Sequence, residues 1–361
     1  MLHNSMKTNV QTEYKIGSLI GKGASGSVYQ ALSKSTGKTV AIKRIKHLSL
    51  HKLNETMSEI DLLKQLRHLN IVHLYGYERT NTDLLIIMEY CESGSLLETI
   101  KKFGNIPEIL VSGYMDQVLI GLSYLHDQGI IHRDIKSANI LTTKEGVVKL
   151  ADFGIAMRFG IDRNVFEGSP YWMAPEVIEL SGSNCSSDIW SVGCTALELY
   201  TGKPPYYDLE PISALFRIVS ADTIPYPDSI TPLFRDFLNE CFQKDPNLRI
   251  SANRLQKHPW INSFKKETNN QYIAKRVRNF SVQKILDLNV FRDVEESDDY
   301  SQDFIELENT ITLKTQPIQN NEPSDPLYEI SNEVMETNYS VSWTDYLAQY
   351  INSKIVKLSF I

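Results

Sequence analysis

The sequence predicts an α+β fold of two lobes: a small antiparallel β-sheet lobe with one key helix, then a larger, mainly helical lobe. Three observations carry this expectation. Short β-rich runs divided by glycines fill the chain up to about residue 45. One helical pattern and two further strand candidates follow. Beyond Cys91 the apolar spacing lengthens into helices. A single change of element type along the chain implies a boundary between two bodies, with a cleft where they meet.

Taken in order, residues 1–13 are polar and read as a flexible lead-in. The first strand candidates are YKIGSLI (14–20), SVYQAL (27–32) and KTVAIKRI (38–45). Their β-branched and aromatic residues are separated by glycines and by the turn Ser35-Thr36-Gly37-Lys38. In NETMSEIDLLKQLR (54–67) apolar side chains recur at helical spacing behind Asn54, a residue type that caps helices. IVHLYGYE (71–78) and DLLIIMEY (83–90) complete the small lobe, residues 14–90. The larger lobe, 91–261, carries helical patterns at 111–127, 188–202 and 231–243.

Residues 262–361 change character again. YIAKRVRNFSVQKIL (272–286) is basic and partly amphipathic. Residues 287–308 carry nine acids against the single base Arg292. With the Asn- and Pro-containing stretch after it, this composition cannot bury a core and predicts a largely disordered tail. A last amphipathic helix is expected at 344–358, where Leu347, Ile351 and Ile355 follow at i+4 spacing beside Tyr350. Such a face would dock on the two-lobed body or on a partner.

Composition narrows the function classes. A net charge of −7 and a pI near 5.7 argue against a nucleic-acid binder, which needs a basic surface. The four cysteines, Cys91, Cys185, Cys194 and Cys241, are scattered, without the short spacings of a zinc site. They read as buried, reduced thiols. No run reaches the roughly 18 apolar residues needed to span a bilayer. The first residues hold no apolar stretch of signal type, so the expectation is a soluble, intracellular protein.

The chemistry-bearing residues begin with Gly21-Lys-Gly23-Ala-Ser-Gly26-Ser-Val28, where missing Cβ atoms let a backbone approach phosphates. Dinucleotide folds use similar glycines, but they place a helix directly after them and an acid about 20 residues on. Here the glycines lie between strand candidates, and residues 33–47 contain Lys43 and no acid. A lysine ending so apolar a strand demands a charge partner. Glu59, preceding Leu62, Leu63 and Leu66 on the next helix, is the expected partner, ahead of Glu55 and Asp61. Such a pair would hold the ammonium against ATP phosphate oxygens.

The strongest block is His132-Arg133-Asp134-Ile135-Lys136-Ser137-Ala138-Asn139-Ile140-Leu141, followed by Asp152-Phe153-Gly154. Phosphoryl transfer needs a proton acceptor, fixed positive charge and oxygen ligands for Mg²⁺. Asp134, Lys136, Asn139 and Asp152 supply those types inside an otherwise apolar stretch.

With Ala174-Pro175-Glu176, this set resembles the eukaryotic protein kinases over residues 14–261. The resemblance implies Asp134 as catalytic base and Lys136 as the cation stabilising the transferred phosphate. It implies Asn139 and Asp152 as Mg²⁺ ligands. The ATP site would comprise Ile20, Gly21, Gly23, Gly26, Val28, Ala41, Lys43, Glu59, Glu89 and Cys91, the last two in a hinge that begins at Met88. Lysine at 136 resembles the serine/threonine rather than the tyrosine branch. Asp188 would bond the catalytic-loop backbone, Glu176 and Arg249 would form a buried ion pair, and Ser169 would bond Asp134 and Lys136. A nucleotide-binding scaffold without catalysis is the alternative, and the intact Lys43, Asp134, Asn139 and Asp152 disfavour it.

GSPYWMAPEVIE (168–179) is similar to the MAP kinase kinase kinases and Ste20-type relatives. SSDIWSVGCTALELYTGKPPYYDLEPISALFRIV (186–219) is similar to the septation-initiation and mitotic-exit network kinases. That likeness implies protein substrates, a small GTPase or scaffold as activator, and a cytoplasmic location at the division apparatus or nucleus. Between Gly154 and Gly168 there is no Ser, Thr or Tyr to be phosphorylated. Asp162 or Glu167 is therefore expected to pair with Arg133, or a partner to order the segment.

Overall fold

A computed structural model describes residues 10–23, 26–46, 60, 63–80, 83–152, 157–158 and 168–268. The chain enters through a short helix, α1 (Val10–Glu13), and a sheet of β1 (Tyr14–Gly23), β2 (Gly26–Ser33), β3 (Thr39–Lys46), β4 (Leu74–Arg79) and β5 (Asp83–Glu89). All neighbours are antiparallel, in the order β1-β2-β3-β5-β4. Strand periodicity splits the apolar residues between two faces. Ala31, Val40, Ile42, Leu85 and Ile87 pack with Val10 and Tyr14 on one. Ile45, Leu74, Leu84, Ile86 and Met88 pack with Ile60 on the other. Cover on both sides is why β5 reads as a continuous apolar run.

Residues 10–13 therefore depart from the flexible lead-in expected for 1–13. Val10 is fully buried, its amide bonds the Glu78 carboxylate, and Glu13 accepts from Ser33 at 2.9 Å. Of the helix expected at 54–67, Ile60 and residues from Leu63 onward are described, and the Lys64 amide bonds the Ile60 carbonyl at 2.8 Å. Glu59 lies outside the described residues.

The large lobe is built from α2 (Leu96–Phe103), α3 (Glu108–Asp127), α4 (Pro175–Ile178), α5 (Cys185–Thr201), α6 (Pro211–Ser220), α7 (Pro232–Cys241), α8 (Ala252–Leu255) and α9 (Pro259–Thr268). Its core gathers the buried faces of α3 and α5 with Phe234, Phe237 and Trp260, the rings of Phe234 and Trp260 stacking at 4.3 Å. Short strands line its upper edge: β6 (Ile130–Ile131) with β9 (Met157–Arg158), and β7 (Ile140–Thr142) with β8 (Val148–Leu150). No helix among the described residues is long and apolar enough to cross a membrane. The four cysteines form no disulfide; Cys91, Cys194 and Cys241 are buried, whereas Cys185 is half-buried at the start of α5.

The segment leading into β4 runs along β8 and joins the lobes. The Val72 amide bonds the Leu150 carbonyl, and the Leu150 amide bonds the Asn70 carbonyl, each at 2.9 Å. Lys149 adds a buried cation that donates to the Leu69 carbonyl at 2.9 Å and meets Glu89 at 3.0 Å.

Candidate active site

The loop between β6 and β7 carries the HRD block, and α5 holds it from beneath. Asp188, in the first turn of α5, is fully buried and accepts from the amides of His132 at 2.9 Å and Arg133 at 2.8 Å. His126 closes on the same carboxylate at 2.9 Å. Burial would raise the Asp188 carboxyl, but these donors, His126 first among them, hold it below the usual range. Arg133 sits in the left-handed region, at φ 70°, a conformation costly for a side-chain-bearing residue and fixed here by Asp188. The His132 ring accepts from the Asp134 amide through Nδ1 at 3.3 Å. Its Nε2 therefore carries the proton that it donates to the Ala151 carbonyl at 3.1 Å.

Above this base four polar side chains meet. Asn139 donates through Nδ2 to the Asp134 carbonyl at 2.9 Å and to its Oδ2 at 2.7 Å, which turns the Asn139 amide oxygen the other way. Lys136 lies 3.2 Å from Asp134 Oδ2 and donates to the Ser169 hydroxyl at 2.5 Å. That hydroxyl in turn donates to Asp134 Oδ1 at 2.8 Å. An alcohol is thus held between a carboxylate and an ammonium.

Lys43 reaches down from β3 to Asp152 at 2.5 Å. Burial alone would raise the Asp152 carboxyl, and the Lys43 ammonium, with Lys136 beyond it, holds it below the usual range. The partner found for Lys43 therefore comes from the large lobe, while Glu59, Phe153 and Gly154 lie outside the described residues. Asp152 also has a left-handed backbone, φ 56°, and the preceding Ala151 amide bonds the Asn139 carbonyl at 2.9 Å. Asp134, Lys136 and Asn139 thus form one cluster, and the Lys43–Asp152 pair lies near enough for Lys136 to act on Asp152.

The glycines of the small lobe lie at the paired ends of β1 and β2. Gly21 pairs with Val28, Gly23 with Gly26 and Val28 with Lys43. Gly26 has φ 136°, and a Cβ there would collide with the Arg44 carbonyl oxygen, so glycine is required. Ile20 is partly exposed beside it and Ala41 is buried next to Met88. Glu89 turns its carboxylate onto Lys149 and the His73 amide at 3.0 Å. Cys91 is buried with Val72, Ala151, Met88 and Leu141, and burial pushes its thiol up to about 12. Leu141 is half-buried against Val72, Cys91 and Ala151.

One polar group beneath the site, Glu198, was silent in the sequence, whereas the Glu176–Arg249 pair is the one the resemblance implied. Glu198, on α5, is buried and accepts from the Ser137 hydroxyl, the Ser137 amide and the Trp172 indole. Glu176 meets Arg249 through two bonds, 2.7 and 3.0 Å, joining α4 to the segment after α7. Asp162 and Glu167, expected near Arg133, lie outside the described residues.

Among the described residues no three His, Cys, Asp or Glu side chains converge as a metal cage. The donors at the cleft are instead one carboxylate and one amide oxygen. Hard oxygen donors in that number fit a magnesium ion that keeps waters and takes most of its ligands from phosphate.

Residues 14–261 match the protein kinase domain model. The chain is similar to the cytokinesis protein sepH of Emericella nidulans, 60% identical over 252 residues, 69% of this chain and 19% of that relative. It is similar to cell division control protein 7 of Schizosaccharomyces pombe, 54% identical over 263 residues, 72% of this chain and 24% of the relative. MAP3K epsilon protein kinase 1 of Arabidopsis thaliana is 54% identical over 264 residues, 71% of this chain and 19% of its own length. The chain thus spans about a fifth to a quarter of the length of these three curated relatives.

Proposed function

The chain belongs to the protein kinase family, and from that membership we propose that it transfers the terminal phosphoryl group of ATP to serine or threonine hydroxyls of proteins. The observation that carries the proposal is the Ser169 hydroxyl bracketed by Asp134 and Lys136, because an incoming alcohol needs the same pair of contacts. Asp134 accepts the hydroxyl proton as the oxygen bonds phosphorus, while the bond to the leaving ADP oxygen breaks. Lys136 neutralises charge on the group in transit, and Lys43 orients the phosphates from the small lobe. The glycine turn with Ile20, Val28 and Ala41 covers the nucleotide, and Glu89 and Cys91 offer backbone groups at the hinge. Asn139 and Asp152 are the residues that would hold magnesium. Bound magnesium supplies charge neutralisation at the phosphate oxygens.

Lysine at position 136 supports serine/threonine over tyrosine specificity. The similarity to relatives named for cytokinesis, cell division and MAP3K activity supports a place in a signalling cascade governing division or a MAP kinase pathway. A small GTPase or scaffold would activate such an enzyme at the division apparatus.

The test is incubation of the protein with γ-labelled ATP, Mg²⁺ and a basic protein substrate, followed by identification of the labelled amino acid. Magnesium-dependent phosphoserine and phosphothreonine are expected. Label on tyrosine alone, or ATP hydrolysis with no label on protein, overturns the proposal.

A further inference from the structure

Glu198 is a carboxylate inside the large lobe, 2% exposed, with no ion-pair partner in bonding contact among the described residues. Its position is unusual for a charge. Oε1 takes the Ser137 hydroxyl at 2.5 Å, and Oε2 takes both the Ser137 amide and the Trp172 indole N–H at 3.1 Å. Ser137 opens the short 3₁₀ turn Ser137–Asn139 and directly follows Lys136. Trp172 closes the turn Pro170–Trp172, which starts at Ser169. One side chain therefore bonds the segment carrying the ammonium and the amide to the segment carrying the hydroxyl.

We propose that Glu198 is a positioning residue for phosphoryl transfer: its ionised carboxylate locks the Lys136–Asn139 turn to the Ser169–Trp172 turn, and protonation loosens that lock. The consequence presumes the kinase activity proposed above. An amide and an indole can only donate, so these two bonds need an acceptor oxygen, and the negative charge strengthens all three. Protonation removes the charge and reverses the hydroxyl bond, because Ser137 must then accept.

Burial raises the Glu198 carboxyl from the ordinary 4.5 to about 7, against the opposing pull of the Ser137 and Trp172 donors and the Lys136 ammonium. The Cys194 thiol, one turn earlier on α5, is pushed up by burial and then by Glu198, so it stays neutral and adds no charge at this pH. Two trends of opposite sign follow. Because the folded pKa lies above the unfolded one, the folded state holds this proton where the unfolded chain has released it. The group's contribution to stability is thus fully present below about pH 4.5 and is lost as pH rises through about 7. Turnover should move the other way, rising as Glu198 ionises. A residue needed for packing alone would not oppose stability to rate.

The experiment is a set of kcat profiles from pH 5.5 to 8.5 at saturating MgATP and substrate, with thermal denaturation at each pH. In the wild type kcat should fall about tenfold one unit below the Glu198 pKa, with little change in KM for ATP. Glu198→Gln should have a lower kcat and no acid limb, and should lose less thermal stability than wild type between pH 5.5 and 8.5. Ser137→Ala and Trp172→Phe each remove a donor that favours the charged form, so they should move the acid limb to higher pH and provide the test if Glu198→Gln fails to fold. An active wild type whose acid limb is unchanged in all folded variants overturns the inference alone. A wild type that phosphorylates no protein at any pH overturns the proposed activity and the inference with it.

Discussion

Asp134 keeps its two oxygens in different company: Oδ1 accepts from Ser169, while Oδ2 takes Asn139 and faces Lys136. Lys43 works at the same scale from the opposite wall, compensating the buried Asp152 carboxylate. Lys43→Met should therefore lower kcat/KM by about 10²–10³, the loss typical of one preorganised electrostatic partner, with circular dichroism unchanged. A near-wild-type kcat/KM in that variant contradicts the assigned role. Stripped of its cation, Asp152 loses the influence that keeps its carboxyl below the usual range. Its stabilising contribution, present above the unfolded pKa and lost as pH falls through the folded one, should fade at a higher pH in Lys43→Met. Much of this site was legible because Asp134, Lys136 and Asn139 sit in one short polar block and Asp152 opens the motif that follows it. The burial of Lys43 was legible too, but not its partner, which lies 109 residues away where no local spacing can announce it. Glu198 gave no signal, since a glutamate in a helical pattern ordinarily faces solvent.

At the scale of elements, helix type was easier to read than helix ends. Patterns at 111–127, 188–202 and 231–243 correspond to α3, α5 and α7, which run Glu108–Asp127, Cys185–Thr201 and Pro232–Cys241. Apolar spacing marks the buried stripe, whereas the ends are set by caps. Asn184 accepts from the Ser186 and Ser187 amides and starts α5 before its first apolar residue, and Gly202 stops it in the left-handed region. Thr231 does the same for α7, ahead of Pro232. The ion pair between Glu176 and Arg249 fastens α4 to the lobe, with Ser187 and the Ser186 carbonyl completing it. Arg249→Ala would leave a buried carboxylate without its cation. That should cost about 3–5 kcal/mol, seen as a fall in Tm on the order of 10 °C. A Tm within a degree or two of wild type would show that the pair contributes little.

Across the whole molecule, two differently built lobes meet where the segment before β4 runs along β8 and where Lys43 reaches Asp152. The sequence disclosed both lobes through the change from strand to helix periodicity. It did not disclose the join, because Lys149 reads as an ordinary strand lysine. Buried in the middle of β8, Lys149 ties Glu89, the last residue of β5, to the Leu69 carbonyl. Lys149→Met should raise KM for ATP several-fold while changing kcat less, since it disturbs the nucleotide wall and not the Asp134 cluster. Equal loss in kcat with KM unchanged would place its effect elsewhere.

The central claim is that one cleft assembles a proton acceptor, cations and metal-holding oxygens at the terminal phosphate of ATP. Single-turnover transfer by Asp134→Asn, with ATP affinity measured on the same protein, tests it most directly. Nucleotide binding should survive and transfer should drop by about 10²–10⁴, the usual share of a general base. Transfer at the wild-type rate would contradict the claim.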